Sequence, residues 1–375
     1  PTPSGVYAFY PGRNAIASAI CNDCTGDGAW SNWTHRGTTP GLVVPKRKAT
    51  GSFRDPARAF QHNGSWFVGI GCGQSVHEPN GGGAVCLFQA SNDSLAEFTD
   101  AGDLFHINHS HGSFGKHVAV YNRSRSVSFN MIECPDIFML GGTWVLLASI
   151  AHSGGPNQWW TGTLSGSPPR FVPSSVGLLD FGSLYAAKSG STIVQSRNSR
   201  RVAFAFTGWG ESLACGRYLV LPRELTVQAG ILHVQPVAET AALRVPGTAV
   251  HGAASSTQPE LALATGAQVE IRLRCNHTGD SWPRQGRIAL RTLASADGRY
   301  YTRVGWEFGR SDALFVDHTH CCRNNSATVQ RALATTPRPG QPLEIGVWVD
   351  AGLVESFSSG VVITSLVHAT TDAGG

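Results

Sequence analysis

The chain is predicted to be all-β, with two strand-rich units, a softer stretch between them and hardly any helix. Three observations predict this. Short apolar runs recur between clusters of Gly, Asn, Asp and Pro, which is the pattern of strands joined by tight turns. Almost no segment keeps a 3.6-residue apolar period over three turns. Charged residues make up only 14% of the chain, against roughly 25% in an average soluble protein, while 44 of 375 residues are glycine.

In the first unit, strands are read over Gly5–Tyr10, Ser65–Gly71, Ala84–Ala90, Lys116–Tyr121, Thr143–Ala151, Tyr185–Ala187 and Arg201–Trp209. Short strands at such spacing build a sandwich, a barrel or a propeller, and no crisp internal repeat decides among them. The segment Leu221-Pro222-Arg223-Glu224-Leu225 closes this region, and an Ala-, Pro-, Val- and Thr-rich stretch follows. Alternation resumes over Gln268–Cys275, Gly286–Leu293, Thr302–Phe308, Leu343–Val349 and Val361–Val367, most simply a β-sandwich. The expected division is residues 1–230, a linker over 231–255, and residues 256–375.

The net charge of +4 is small for this length and the Lys and Arg are scattered, which argues against a nucleic-acid partner. No window approaches the ~18 apolar residues of a membrane span. Asn-X-Ser/Thr acceptors at Asn32, Asn63, Asn92, Asn108, Asn122, Asn276 and Asn324, together with nine cysteines, point to a secreted protein, extracellular or in a vacuolar lumen. The chain opens at Pro1-Thr2-Pro3-Ser4 without Met or a basic-apolar leader, so it is expected to be a mature form or to lack its front end. Cys21 and Cys24 have C-x-x-C spacing, but no second pair completes a metal site, and Cys321 and Cys322 are too close in sequence to bridge easily. Oligomeric state is left open.

Two carboxylate motifs carry the chemistry: Arg54-Asp55-Pro56, and Glu133-Cys134-Pro135-Asp136. In each, a proline fixes φ and removes a ladder donor, so the acid is expected at a strand end or irregularity. An acid and a carboxylate held over one pocket are what glycosidic cleavage requires.

These motifs resemble glycoside hydrolase family 32, the invertase, β-fructofuranosidase and fructanase family. The similarity extends to Asp180-Phe181-Gly182-Ser183-Leu184-Tyr185-Ala186-Ala187, to Arg200-Arg201-Val202 with Gly208-Trp209-Gly210-Glu211, and to Leu221-Pro222-Arg223-Glu224. It continues in the second unit through Phe315-Val316-Asp317, Val349-Asp350 and Val354-Glu355-Ser356-Phe357. The resemblance implies a five-bladed β-propeller followed by a β-sandwich, with the site in the propeller's axial funnel. It also implies a nucleophile motif, Asn-Asp-Pro-Asn-Gly, that occurs nowhere in these residues. Only 54 residues precede Asp55, and Val6–Asn22 reads like second-blade strands, so the first blade is expected to be incomplete or absent.

The resemblance assigns Glu133 as general acid/base and Asp55 as the transition-state stabiliser that binds sugar hydroxyls. Burial, Cys134, Phe138 and the like charge of Asp136 are expected to tune Glu133. Arg54 is expected to hold Asp55 by a bidentate pair. Arg54, Cys134 and Asp180 are taken as substrate-binding, although Asp180 before Phe-Gly reads equally as a turn former. The upstream acids Asp23 and Asp27 read as turn residues. Trp159, Trp160 and Trp209 are candidates for sugar stacking, with core packing the favoured reading. His106, His109 and His111 have metal-like spacing but no completing ligand, so a solvated loop is expected, and Gly81-Gly82-Gly83 is read as a flexible loop. No cofactor and no metal are implied. The expected substrate is a terminal β-D-fructofuranosyl linkage of sucrose or a fructan, cleaved with retention. Fructosyl transfer on the same scaffold, or carbohydrate binding without catalysis, are the alternatives. Without a nucleophile this chain is expected to be inactive.

Overall fold

The computed structural model describes residues 6–12, 15–24, 30–36, 42–45, 51–74, 82–108, 131–150, 157–191, 200–207, 218–253, 266–277, 279, 281–321 and 329–367. Every regular element among them is a strand except a 3-10 turn at Ala238–Leu243. The all-β expectation holds. The run Lys116–Tyr121 lies outside the described residues.

Two compact units emerge. The first comprises Pro1–Leu179, Leu184–Ala214 and Leu225–His233, and the second comprises Asp180–Ser183, Cys215–Glu224 and Val234–Gly375. The stretch expected as a linker contains strand β18 below and the 3-10 turn, followed by exposed chain over 244–253.

Four antiparallel sheets, arranged as propeller blades, contain the described strands of the first unit. Sheet one holds β1 (Val6–Pro11), β2 (Ala15–Cys21), β3 (Trp33–Arg36) and β4 (Leu42–Pro45). Sheet two holds β5 (Ser52–Pro56), β6 (Phe60–His62), β7 (Ser65–Gln74), β8 (Gly82–Ala90) and β9 (Phe98–Asn108). Sheet three is the meander β10 (Ile132–Leu140), β11 (Thr143–Ile150), β12 (Asn157–Ser165) and β13 (Arg170–Leu178). Sheet four runs from β14 (Leu184–Ser191) and β15 (Arg201–Thr207), past the short β16 (Tyr218–Leu219) in sequence, to β17 (Arg223–Gln228) and β18 (Ile231–Pro236). The opening strands β1, β5, β10 and β14 stand side by side in that order.

Local sequence explains the hairpins. Asn63-Gly64 and Gly141-Gly142 take positive φ at both positions, the two-residue turn whose twist matches that of the flanking strands. Middle strands are buried on both faces, so β8 and β11 read as nearly continuous apolar runs. Apolar clusters fill the space between neighbouring sheets. Ile16, Val68, Ile70 and Phe88 pack between sheets one and two, and Leu87, Phe105, Ile137, Leu146 and Trp160 between sheets two and three. Each fully buried Leu, Ile, Val or Phe contributes about 1.5–3 kcal/mol. A disulfide, Cys72–Cys86, crosses from β7 to β8, and Cys21 is bonded to Cys24.

Two glycines let sheet three close on sheet two. A Cβ on Gly71 would lie 2.6 Å from the Ile132 carbonyl oxygen, and one on Gly83 would lie 2.8 Å from the Ile132 nitrogen. Any side chain there would displace the backbone that leads into Glu133. Gly82 and Gly83 belong to β8, so the expected flexible loop is corrected for these two, and close approach calls for glycine at Gly83; Gly81 lies outside the described residues.

The second unit contains two four-stranded antiparallel sheets. One orders β19 (Gln268–Cys275), β24 (Leu343–Asp350), β25 (Leu353–Ser358) and β26 (Val361–Leu366). The other is the meander β20 (Gly286–Thr292), β21 (Thr302–Phe308), β22 (Ala313–Asp317) and β23 (Val329–Leu333). Their shared core includes Val304, Trp306, Leu314, Val316, Ile345, Val347, Val354 and Ile363. Strand β24 shows the period-2 logic, with Leu343, Ile345, Val347 and Val349 all buried.

Candidate active site

Three neighbouring opening strands each carry a ladder irregularity at a motif. The register jumps between Arg54 and Pro56 in β5, between Glu133 and Asp136 in β10, and between Tyr185 and Lys188 in β14. Inside each jump sits a non-glycine residue in the left-handed region: Asp55 at φ 59°, Cys134 at φ 50° and Ala186 at φ 54°. Such a conformation costs on the order of 1–3 kcal/mol per residue and persists only where surrounding contacts impose it. The contacts are present. The Cys134 N–H donates to Asp55 Oδ2 at 3.2 Å, the Ala186 N–H to Ser149 Oγ at 3.0 Å, and the Ala187 N–H to Asn157 Oδ1 at 3.3 Å. Bulges re-aim side chains, and these three converge theirs.

Glu133 lies at the centre, buried, with both carboxylate oxygens accepting: Oε1 from the Arg54 guanidinium and Oε2 from the Tyr185 hydroxyl. Burial, then the hydrogen bond to Glu133 and its charge, push the Tyr185 phenol well above its ordinary range, so Tyr185 acts as a donor. The Arg54 Nε stands 3.9 Å from Asp55 Oδ2. Arg54 thus spans the two acids, and the expected bidentate clamp on Asp55 is corrected. The guanidinium fork is drawn across to Glu133, and Asp55 takes its hydrogen bond from the Cys134 backbone. The Cys134 thiol is free and half-buried, 3.7 Å from Asp55 Oδ2. Burial first, then the Asp55 charge, push it up to about 12, so it stays a thiol rather than a thiolate.

Asp136, expected to lend like charge beside Glu133, has partners of its own. It accepts from the Ser189 N–H at 2.8 Å and from the Ser189 hydroxyl, and Arg201 pairs with it at 3.4 Å. Arg201 also lies 3.8 Å over the Phe138 ring. The bulge between Glu133 and Asp136 puts the two acids in separate settings.

Comparison with protein-family models matches residues 6–236 to the glycosyl hydrolases family 32 N-terminal domain and residues 239–375 to the family 32 C-terminal domain. The chain belongs to glycosyl hydrolase family 32. A curated relative, sucrose-6-phosphate hydrolase of Bacillus subtilis (strain 168), is 26% identical over 252 residues, 61% of this chain and 47% of that protein. The family 32 chain therefore spans about half the length of the curated relative it matches. Among solved structures, fructan 1-exohydrolase IIa from Cichorium intybus superposes with a TM-score of 0.71 at 17% identity, over 96% of this chain and 75% of that one. The β-fructofuranosidase BmSUC1 of Bombyx mori gives 0.68 at 20% identity, over 97% and 72%. At these identities the likeness establishes the fold. Variants of these two enzymes have been solved with 1-kestose and with sucrose, respectively.

In this family 32 chain, the structure brings together Arg54, Asp55, Glu133 and Cys134 from the sequence-derived set. It adds Tyr185, Lys188, Ser149 and Asn157, to which the sequence pattern assigns no role; the Tyr-Ala-Ala-Lys run is the signal available for the first two. Asp180 belongs to the second unit and is 1% exposed. Its Oδ1 accepts from Gly182 N at 2.6 Å and Thr364 N at 3.0 Å, and its Oδ2 from Arg223 at 2.8 Å and the Thr364 hydroxyl at 2.6 Å. The turn-forming reading accounts for the Gly182 contact. Trp159 and Trp160 are buried, the first donating to the Leu178 carbonyl and the second packing on Phe105 in the core, while Trp209 lies outside the described residues. Asp23 accepts from the Ser31 and Asn32 backbone N–H groups at 3.1 Å, which ties a turn; Asp27 lies outside the described residues. His106 sits half-buried in β9, not in a solvated loop, and His109 and His111 lie outside the described residues.

Proposed function

We propose that this family 32 chain carries the acid/base and the transition-state-stabilising carboxylate of a retaining glycosidase acting on terminal β-D-fructofuranosyl linkages, as in sucrose or fructans. The observation that carries the reading is the convergence of Glu133, Asp55, Arg54 and Tyr185 on three adjoining bulges. The names of the relatives support the substrate class. Glu133 would protonate the departing glycosidic oxygen and then take a proton from water. Asp55 would hold ring hydroxyls and strengthen those hydrogen bonds as oxocarbenium charge develops. Arg54 would balance the two carboxylates while the pocket fills.

Retention also needs a nucleophile roughly 5 Å from the acid. Residues 1–375 contain no Asn-Asp-Pro-Asn-Gly, and Asp23 is committed to a turn. This stretch by itself is therefore expected to release no fructose from sucrose or inulin. The same residues joined to a family 32 nucleophile segment are expected to release it. Turnover by the 375-residue chain alone would overturn the first expectation, and failure of a well-folded fusion of that kind the second.

We also propose that the protein is secreted or lumenal. The buried Cys72–Cys86 bridge suits an oxidising compartment, and Asn32, Asn63, Asn92 and Asn276 are exposed at N-glycosylation acceptors. Enzymatic removal of N-glycans is expected to lower the mass of the protein isolated from its native source. An unchanged mass at all of these positions would count against this placement.

A further inference from the structure

In a regular strand, residues three apart point to opposite faces. Tyr185 and Lys188 are three apart, and the irregularity between them inserts the odd residue that brings both to one side. Tyr185 reaches Glu133. The Lys188 ammonium donates to the Pro135 carbonyl at 2.7 Å and to the Pro56 carbonyl at 3.2 Å. These are the prolines of the two carboxylate motifs. Pro56 directly follows Asp55. Pro135 directly follows Cys134, whose N–H holds Asp55. Both carbonyls stand at breaks in their own ladders, where the register jumps. The bulge is itself fastened from behind: Ser149 and Asn157, joined by a 3.1 Å hydrogen bond, accept the Ala186 and Ala187 N–H groups.

We propose that Lys188 is the positioning residue of this site, a single ammonium that sets the spacing of the Asp55 and Glu133 motifs by gripping the proline carbonyl of each. The inference rests on reading those acids as the fructosyl-transfer groups, for which a displacement of about 1 Å costs about 10²-fold in rate. An ammonium suits the task because its three donors are compact and rotatable, so it can bridge carbonyls from two different sheets. Burial pulls the Lys188 pKa down, against the negative charges of Asp136 and Asp55. A neutral amine would still donate two hydrogen bonds, so the grip does not depend on the charge alone.

The test compares the 375-residue chain with Lys188→Met, which keeps the apolar stem, and Lys188→Arg, which restores donors. Amide hydrogen exchange is read peptide by peptide by mass spectrometry. Exchange over 53–58 and 132–137 is expected to rise about tenfold or more in Lys188→Met and to fall back in Lys188→Arg, with β12 and the second unit unchanged. Unchanged motif peptides, or a rise spread evenly through the first unit, would overturn the proposal. If Lys188→Met fails to fold, Lys188→Leu, which likewise removes every donor, takes its place under the same criteria. The same proteins are titrated by calorimetry with 2,5-dideoxy-2,5-imino-D-mannitol, a pyrrolidine bearing fructofuranose-like hydroxyls. Loss of about tenfold in affinity in Lys188→Met is expected. No binding by the wild-type chain, with the exchange pattern as expected, would defeat the fructosyl reading and leave the positioning role standing. Equal binding by all variants, with unchanged exchange, would do the reverse.

Discussion

Arg223→Met is expected to lower the stability of the second unit by about 3–5 kcal/mol, the range for removing one partner of a buried charge network. Arg223 is 1% exposed and donates to Asp180 Oδ2 at 2.8 Å, Glu355 Oε2 at 3.0 Å and the Thr364 hydroxyl at 2.6 Å. Burial opposes its charge, yet the two carboxylates outweigh that and push the guanidinium pKa up. Glu355 shows the other side of the balance: burial raises its pKa, while Arg223 and the Leu221 N–H at 2.8 Å work against the rise. Methionine would fill much of the volume and leave two carboxyl groups without a cation, so the loss is one of desolvation rather than packing. Thermal unfolding followed by near-ultraviolet circular dichroism reads the effect directly. Asp180→Asn sharpens it. If Asp180 serves this network, the amide variant loses stability and leaves the affinity for the imino sugar unchanged. Loss of affinity at unaltered stability would return Asp180 to the sugar-binding role that the sequence leaves open.

Asp180 marks the boundary between what sequence pattern reveals and what it hides. Alternation and turn chemistry are local, so the runs Leu343–Val349 and Arg201–Trp209 are legible as strands from the sequence alone, where the structure has strands over Leu343–Asp350 and Arg201–Thr207, and the absence of helical periodicity settles the class. The carboxylate motifs are equally visible, because proline beside an acid marks a ladder break wherever it falls. Direction is what the sequence hides. A bulge changes which face every later residue occupies, and neither Cys134 nor Ala186 has the glycine that would advertise a left-handed turn. Hence Asp136, expected near Glu133, turns to Ser189 and Arg201, and Arg54, expected on Asp55, reaches across to Glu133. Lys188 draws no attention in the sequence because its partners are backbone carbonyls 132 and 53 positions away, which carry no sequence signature. Gly83 misleads in the opposite sense: its lack of a side chain serves a close approach to Ile132 that only the third dimension reveals.

Glu133→Gln is expected to reduce the rate of sucrose cleavage by about 10²–10⁴-fold when these residues are joined to a family 32 nucleophile segment, the usual contribution of a positioned general acid/base. Glutamine keeps the size of the side chain and can still accept from Arg54 or Tyr185, so the fold is expected to survive and the loss to be chemical. Two further readings separate proton transfer from simple disruption. A fructoside with an acidic phenol as leaving group departs without protonation, so its fructosyl-enzyme step is expected to suffer far less than that of sucrose. Azide, a nucleophile that needs no base, is expected to restore turnover of that substrate in Glu133→Gln and to do little for the wild type. Asp55→Asn provides the contrast. The role proposed for it is to stabilise charge developing on the ring whatever leaves, so it is expected to slow both substrates alike and to resist azide. Equal losses on both substrates for Glu133→Gln, with no azide rescue, would remove Glu133 from the acid/base role. Its place at the meeting point of Arg54 and Tyr185 would then be that of a charge anchor, with Tyr185 as the next proton donor to test.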